Sequence, residues 1–306
     1  MRRTRAVLIV GGSGFVGSYL AYALRDAYKV YITYCKNQIT IPGVTSYPFN
    51  VIERDWLKRL AYSVQPDFVI YAAGSNNVDY VEGSQTMQDN IHNRGAAAAL
   101  SNTDLLSPRF ILLSNNYVFD GNRGNYHEND TLLPQNSLGK FKVSAENFLK
   151  GHSLNYLIVR SCPVYGRGNG QAVSFLDVLR KNLALGRQIK IKNDELHNFA
   201  PIEGLVETVI TAIETGVKNR AIHYGGLTKC THIEFAKQFA TRFGFDPSLI
   251  MADEPGKANK ERKLLDFSLN STASLQQLKL NAFLLEQGFD LLEKKLVPGL
   301  GPAKVA

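Results

Sequence analysis

Arg5-Ala6-Val7-Leu8-Ile9-Val10-Gly11-Gly12-Ser13-Gly14-Phe15-Val16-Gly17-Ser18-Tyr19-Leu20 is the stretch that decides the fold. Ala6 to Val10 are apolar without interruption, the pattern of a strand buried on both faces. Gly11 and Gly12 end that run. Phe15, Val16, Tyr19, Leu20, Ala23 and Leu24 then recur on one face of a helix with 3.6 residues per turn. The reading is strand, glycine turn, helix, with Gly11, Gly14 and Gly17 at GxxGxxG spacing. Such a turn is tight and lets the backbone approach a pyrophosphate. The helix start adds free N–H groups and the positive end of its dipole, worth about 0.3–2 kcal/mol to an anion. A glycine-rich turn with nothing bound is the plain alternative; the strand before it and the helix after it favour a dinucleotide.

Outward from this turn, apolar runs of strand length cover residues 5–10, 30–34, 44–49, 68–73, 110–113 and 156–159. Helical patterns lie between several of them: Trp56, Leu57, Leu60, Ala61 and Val64 share one face, closed by Pro66. Apolar strands alternating with amphipathic helices predict a parallel sheet covered on both faces, a Rossmann-like doubly wound α/β unit over residues 1–160. Beyond Arg160 the rhythm changes. Helical segments at 173–185, 201–214 and 233–243, with short strand candidates at 189–191 and 222–224, predict a smaller mixed region over 161–306. That region is expected to share the core of the first and to lie beside the carboxyl edge of the sheet, where such folds place their clefts.

Composition narrows the class. The chain has 306 residues, 44% hydrophobic and 20% charged, enough apolar material for a core and too much for a disordered or collagen-like chain. No stretch approaches the roughly 20 apolar residues that span a bilayer, and the run after Met1-Arg2-Arg3-Thr4-Arg5 is too short for a secretory segment. Cys35, Cys162 and Cys230 lie far apart, with no CxxC pair, and read as ordinary thiols of a reducing compartment. A cytoplasmic location and no membrane partner are expected. Thirty-five Lys and Arg against 27 Asp and Glu leave a formal charge of +8, scattered along the chain. The densest basic stretch, residues 257–263, is interrupted by Glu261, and no basic stripe with aromatic platforms marks a nucleic-acid surface. A solvated surface or a pull toward phosphorylated ligands accounts for the excess. His127, His152, His197, His223 and His232 show no metal spacing, so no metal is expected.

The choice of dinucleotide falls to the end of the second strand. An NAD site wants a carboxylate there for the ribose hydroxyls, and an NADP site wants cations for the 2′-phosphate. Thr33-Tyr34-Cys35-Lys36-Asn37 holds no acid, and between Gly17 and Glu53 the one carboxylate is Asp26, placed in the first helix. Lys36 is either a solvated loop lysine or the phosphate's partner. The missing acid favours NADP(H) over NAD(H).

The chain resembles the extended short-chain dehydrogenase/reductase superfamily, and more narrowly the dTDP-4-dehydrorhamnose reductase family of nucleotide-sugar reductases. The marks are the glycine turn, Gln65-Pro66-Asp67-Phe68-Val69-Ile70-Tyr71-Ala72-Ala73-Gly74, Val78-Asp79, Asn90 and Leu113-Ser114-Asn115-Asn116-Tyr117-Val118-Phe119-Asp120-Gly121. They continue with Tyr126, Glu128, Asp130, Arg160, Pro163-Val164-Tyr165-Gly166 and Ala200-Pro201-Ile202, up to about residue 290. The resemblance implies that Gly11, Gly14, Phe15, Val16, Gly17 and Lys36 meet the cofactor. It places Asn50 and Val51 beside the adenine, Asn50 standing where the family has an aspartate. Ala72, Ala73 and Gly74 would line the pyrophosphate and ribose, and Pro163 and Val164 the nicotinamide. Asn90, which shapes the active site, Ser114 and Lys142 complete the cofactor set. Asp79, Asn116 and Val118 fall on the substrate side, and the region 161–306 becomes mainly substrate-binding. A nucleotide-sugar is the implied small-molecule partner, and a homodimer is one assembly the resemblance admits.

The catalytic set departs from the family, which uses Thr or Ser with a Tyr and a Lys spaced YxxxK. Here Asn136-Ser137-Leu138-Gly139-Lys140-Phe141-Lys142 keeps the lysine as Lys142 but has Leu138 at the tyrosine, and Asn115 stands at the Thr/Ser position. Leucine has no proton to give and an amide is no acid; positioned acid–base groups contribute about 10²–10⁴ in rate. Tyr117 and Tyr126 are the nearby hydroxyls that can substitute only if the fold brings them in, and Lys140 should face away from Leu138. Two readings remain: an NADP-linked nucleotide-sugar reductase or epimerase with a nonstandard site using Lys142 and Asn115, and a non-catalytic dinucleotide-binding regulator descended from one.

Overall fold

The computed structural model describes residues 4–51, 54–253 and 264–293; the basic stretch at 257–263 lies outside the described residues. β1 (Ala6–Val10) leads to α1 (Phe15–Leu24), β2 (Lys29–Tyr34), β3 (Val44–Pro48), α2 (Arg54–Val64) and β4 (Phe68–Tyr71). Then come α3 (Val78–Glu82), α4 (Gln85–Asp89), a π-helical turn (Asn90–Arg94), α5 (Gly95–Thr103) and β5 (Arg109–Asn115). A 3-10 turn (Asn116–Val118), α6 (Ser137–His152) and β6 (Tyr156–Ser161) follow. The later elements are β7 (Val164–Tyr165), α7 (Phe175–Ala184), β8 (Ile189–Ile191), β9 (Glu195–His197), β10 (Ala200–Pro201), α8 (Ile202–Glu214) and β11 (Arg220–Tyr224). β12 (Cys230–Thr231), α9 (His232–Arg242), β13 (Ile250–Ala252), β14 (Leu265–Asp266), α10 (Thr272–Leu278) and α11 (Leu285–Glu293) complete the order.

Seven strands form a parallel sheet in the order β11-β6-β5-β4-β1-β2-β3, a Rossmann-like α/β arrangement. β1 is central: Val7 pairs with Val30 of β2 on one side and Phe68 of β4 on the other. That position explains its unbroken apolar run, since all five residues are buried. The chain divides into two compact units, Met1–Phe119 with Thr131–Arg160 and Val206–Ile222, and Asp120–Asp130 with Ser161–Leu205 and His223–Ala306. One boundary of this division falls after Arg160, and each unit is assembled from more than one segment of the chain. Residues 222–224, expected as a strand of the smaller region, lie in β11 at the edge of the main sheet. α8 supplies the crossover helix that a parallel strand requires. β4 is also shorter than expected, so Ala72, Ala73 and Gly74 leave the sheet as a loop.

In the first unit, Leu8, Val10, Val69, Tyr71, Phe110, Leu112 and Ile158 pack with Leu57, Leu60 and Val64 of α2, Ala96, Ala99 and Leu100 of α5, and Leu149 of α6. α2 stops because Gln65 takes a left-handed φ of 49° and Pro66 follows it. α6 starts at Asn136, whose side chain accepts the Gly139 N–H at 2.8 Å. Beneath this apolar layer lies a buried ion pair. Arg160 of β6 donates from Nη2 and Nε to the Glu146 carboxylate of α6 at 2.7 and 3.0 Å, and Ser114 Oγ of β5 donates to it at 2.7 Å. Burial pushes the Glu146 carboxyl up, and the Arg160 guanidinium with Ser114 outweighs it, holding the group below the usual carboxylate range.

The second unit has its own apolar cluster, with Leu176, Leu179 and Leu183 of α7 against Phe199, Phe235, Phe239 and Phe289. α7 and α9 both open on capping boxes, Ser174 with Asp177 and Thr231 with Glu234. Asn198 ties three loops, donating to the Gly226 and Leu269 carbonyls and accepting the Leu269 N–H, each near 2.8–2.9 Å. No helix among the described residues is long and apolar enough to cross a membrane.

Arg160→Met removes the cation and leaves a buried carboxylate without its main partner. A loss of about 3–5 kcal/mol is expected, measured as a fall in the urea midpoint at neutral pH; a change under 1 kcal/mol would mean that the pair is not buried in solution.

Candidate active site

The glycine turn is built by close approach. Gly11 has φ +82°, and a Cβ on it would lie 2.7 Å from Ala73 Cα; a Cβ on Gly17 would lie 2.5 Å from the Gly11 carbonyl oxygen. Gly12 is pressed against Ile32 in the same way. Gly14 differs: the nearest atom to a Cβ there is the Gly11 oxygen at 3.2 Å, and the residue is half-buried. Gly14 is also the N-cap of α1, with no side chain capping it. As the opening residues of the helix, Phe15, Val16 and Gly17 have N–H groups with no carbonyl one turn back, the feature by which a helix start receives an anion. These features fit a dinucleotide pyrophosphate. Thr33 Oγ1 at the end of β2 accepts the Gly11 N–H at 3.0 Å and fixes the turn to the strand beside it.

Lys36, with Cys35 and Asn37, is exposed in the loop after β2, and Asp26 lies just past the end of α1 rather than within it. Asn50 and Val51 follow β3 and are half-buried; Val51 packs on the core of this unit. Ala72 and Ala73 are half-buried beside Gly11. Gly74 has φ +110°, a conformation that favours glycine. Asn90 begins the π-helical turn. Asp79 is exposed in the first turn of α3. All of these lie in the first unit. Pro163 and Val164 belong to the second, where Val164 pairs with Ala200.

At the end of β5, Ser114 is buried and its hydroxyl is committed to Glu146. Asn115 caps the 3-10 turn by accepting the Tyr117 N–H at 3.1 Å, and its amide nitrogen stands 3.4 Å from Asn76 Oδ1. Asn116 and Val118 are buried in that turn. The first turn of α6 is pressed against it, since a Cβ on Gly139 would lie 2.1 Å from the Tyr117 carbonyl oxygen. Leu138 is fully buried there. One turn on, Lys142 is buried and donates from Nζ to the Leu113 carbonyl at 2.9 Å. Burial brings its ammonium down to about 8, against the opposing pull of Glu146. Lys140 is exposed, as its helical offset from Leu138 requires.

Of the two candidate substitute hydroxyls, Tyr126 lies in the second unit. It donates to the Asp120 carboxylate and accepts the Arg123 N–H, so its hydroxyl is spent within its own loop. Burial and the Asp120 carboxylate both push its phenol up. Tyr117 is buried within the 3-10 turn. Sequence reasoning did not single out Thr33 or His92. His92, in the π-helical turn, is buried with Nε2 3.0 Å from the Ser75 carbonyl oxygen. Its nearness to Asn90 is the one signal that pointed there.

An open glycine turn at the head of a parallel sheet, with a buried lysine on the helix after β5, defines an extended short-chain dehydrogenase/reductase-type protein. The chain belongs to the RmlD substrate binding domain family, which matches residues 5–283. It is 23% identical over 256 residues to the spore coat polysaccharide biosynthesis protein SpsK of Bacillus subtilis, covering 83% of this chain and 85% of that protein. It is 22% identical over 254 residues to dTDP-4-dehydrorhamnose reductase of Mycobacterium tuberculosis, covering 81% and 79%. The crystal structure of dTDP-4-dehydrorhamnose reductase from Bacillus anthracis in complex with NADP superimposes with a TM-score of 0.81 at 18% identity, covering 95% of this chain and 99% of that one.

Two glycines of one turn should separate stability from binding. Gly17→Ala forces the Gly11 carbonyl aside and should cost about 1–3 kcal/mol of stability, read as a lower Tm. Gly14→Asp should leave Tm nearly unchanged while placing a carboxylate on the anion path, so NADPH affinity measured by calorimetry should fall at least tenfold. Unchanged affinity in Gly14→Asp would mean that the turn is not the phosphate site.

Proposed function

We propose that the chain binds NADP(H) along the glycine turn and acts on a nucleotide-sugar as a reductase or epimerase whose proton donor is Lys142. The observation that carries this reading is the buried Lys142 ammonium, held by a bond from Nζ to the Leu113 carbonyl at 2.9 Å, with burial lowering its pKa to about 8. A group that titrates near the working pH is suited to give up a proton in the transition state. When bound, the nicotinamide supplies or accepts hydride. Lys142 Nζ would hold the proton that a newly formed alkoxide takes, then regain one from solvent. Leu138, apolar and buried one turn before Lys142, has no proton to give. Asn115 has a second amide hydrogen with which to orient a carbonyl oxygen. Lys36 and the absence of an acid near the end of β2 support the phosphorylated dinucleotide. The family and its sugar-nucleotide enzymes support the substrate class. Leu138 and Asn115 are also what a binding protein without chemistry would show, and the second experiment below separates the two.

Calorimetry should give tighter binding of NADPH than of NADH; equal affinities would remove the preference, and no binding of either would remove the reading. Asn115→Thr combined with Leu138→Tyr should restore the hydroxyls of the family and raise reduction of a 4-keto sugar nucleotide at least about 10²-fold, near 2.7 kcal/mol of barrier. The larger ring at residue 138 should cost about 1–3 kcal/mol of stability, followed by Tm. A folded double variant that binds NADPH and shows no gain across a panel of such sugars would favour the regulator.

A further inference from the structure

Asn115 and Asn76 form a pair of side-chain amides whose polarity is fixed from one end. The pair lies where two neighbouring strands stop. β4 and β5 run side by side, Tyr71 pairing with Leu112; Asn115 is the last residue of β5, and Asn76 lies in the loop after β4. Open parallel sheets bind their ligands outside these carboxyl ends. Asn115 Oδ1 accepts the Tyr117 N–H at 3.1 Å, and a backbone N–H can only donate. The oxygen is therefore committed, and Nδ2 lies on the other side of the amide. Nδ2 donates to Asn76 Oδ1 at 3.4 Å. That turns the second oxygen toward Asn115 and leaves Asn76 Nδ2 facing away from it. Among the described residues neither side chain makes any other hydrogen bond. One hydrogen on Asn115 Nδ2 and both on Asn76 Nδ2 remain to be placed.

The loop that carries Asn76 is held on both sides of it. Before it, the Ser75 carbonyl oxygen lies 3.0 Å from His92 Nε2. After it, Asn77 Oδ1 caps α3 by accepting the Tyr80 N–H at 2.9 Å, and the Asn77 N–H donates to Ser75 Oγ at 3.2 Å. His92 is 1% exposed. Its Nδ1 has no partner among the described residues, so the Ser75 carbonyl is the ring's whole polar attachment. A Cβ on Gly74 would lie 2.2 Å from its Cε1, which wedges the ring against the loop after β4. Asn76 itself is exposed, on a backbone anchored by the residues before and after it. Donors set in place beforehand give up little freedom when a ligand arrives.

We propose that Asn76 is a specificity-determining residue: with Asn115 it takes an oxygen that has lone pairs and no hydrogen, the carbonyl or carboxylate of an oxidised sugar carbon, in preference to a hydroxyl. Such an oxygen accepts from both amides at once. A hydroxyl in the same place brings its own hydrogen toward N–H groups that cannot accept it. A serine or threonine at residue 115 would make no such choice, because a hydroxyl both donates and accepts. The inference rests on the proposed function for the presence of a sugar nucleotide at these strand ends. It adds the residue that reads the oxidation state of the sugar.

Calorimetry on the full chain with saturating NADP⁺ compares glucose, glucuronate and 4-keto-6-deoxyglucose, each as its UDP and its dTDP ester. Two variants accompany the parent. Asn76→Ala removes two donors from an exposed position. Asn115→Asp keeps an oxygen to cap the Tyr117 N–H and puts an acceptor where the donor nitrogen was. Both should keep the parent Tm. The parent should bind at least one oxidised sugar about tenfold or more tightly than the glucose ester, and each variant should lose that margin. In Asn76→Ala the glucose ester should stay within about twofold of the parent. A margin for glucuronate alone assigns a carboxylate, and one for the keto sugar alone a ketone; either supports the proposal. Equal affinity for all three sugars in the parent, a margin that survives in either variant, or an equal loss for all three in Asn76→Ala would overturn it and leave the proposed function standing. Failure of every ester to bind the parent would overturn the proposed function and this inference together.

Discussion

The buried pair between Arg160 and Glu146 is the interaction on which the first unit depends. It is reached from three elements: the arginine from β6, the carboxylate from α6 and the Ser114 hydroxyl from β5. A fully buried carboxylate is stable in its charged form only with such partners, so the three elements are held in one register. Lys142 stands one turn before Glu146 on the same helix, and its charge feels that carboxylate. The pair thus does more than hold α6 on the sheet. It sets the field in which a buried amine keeps its proton, and it engages the Ser114 hydroxyl.

Around this frame lie the glycine turn and the junction of β5 with α6. The turn that would receive phosphates keeps its close approaches and its one open glycine. Where β5 meets α6 the chain carries the Asn115 amide and the buried Leu138, with Lys142 one turn further along the helix. The amide of Asn115 is engaged in local structure, capping the turn that follows β5. A threonine there would have one oxygen to share between the cap and a substrate; asparagine can accept the cap with its oxygen and still donate from its nitrogen.

Much of this was legible in the sequence, for reasons of pattern. β1 is readable because a central parallel strand must be apolar on both faces, and α1 because its buried stripe repeats at helical spacing. The glycine turn is readable because only glycine tolerates the approaches of Gly11 and Gly17. β11 was misplaced because Arg220-Ala221-Ile222-His223-Tyr224 is an edge strand, and an edge carries little of the apolar signal that a central strand must. The capping role of Asn115 and the commitment of Ser114 are products of packing between residues 32 positions apart or of local turn geometry. His92 was silent because nothing in a single histidine distinguishes a wedged, half-satisfied ring from a surface one.

The wedge of His92 against Gly74 has a directional consequence for how this sequence can change. A smaller residue at position 92 would open space without disturbing Gly74. The reverse order is closed: any side chain at residue 74 must enter the space that the imidazole fills, and it must also accept φ +110°. Residue 92 can therefore drift first and residue 74 cannot, so a lineage carrying a larger residue at 74 would need both a shrunken position 92 and a remodelled loop after β4.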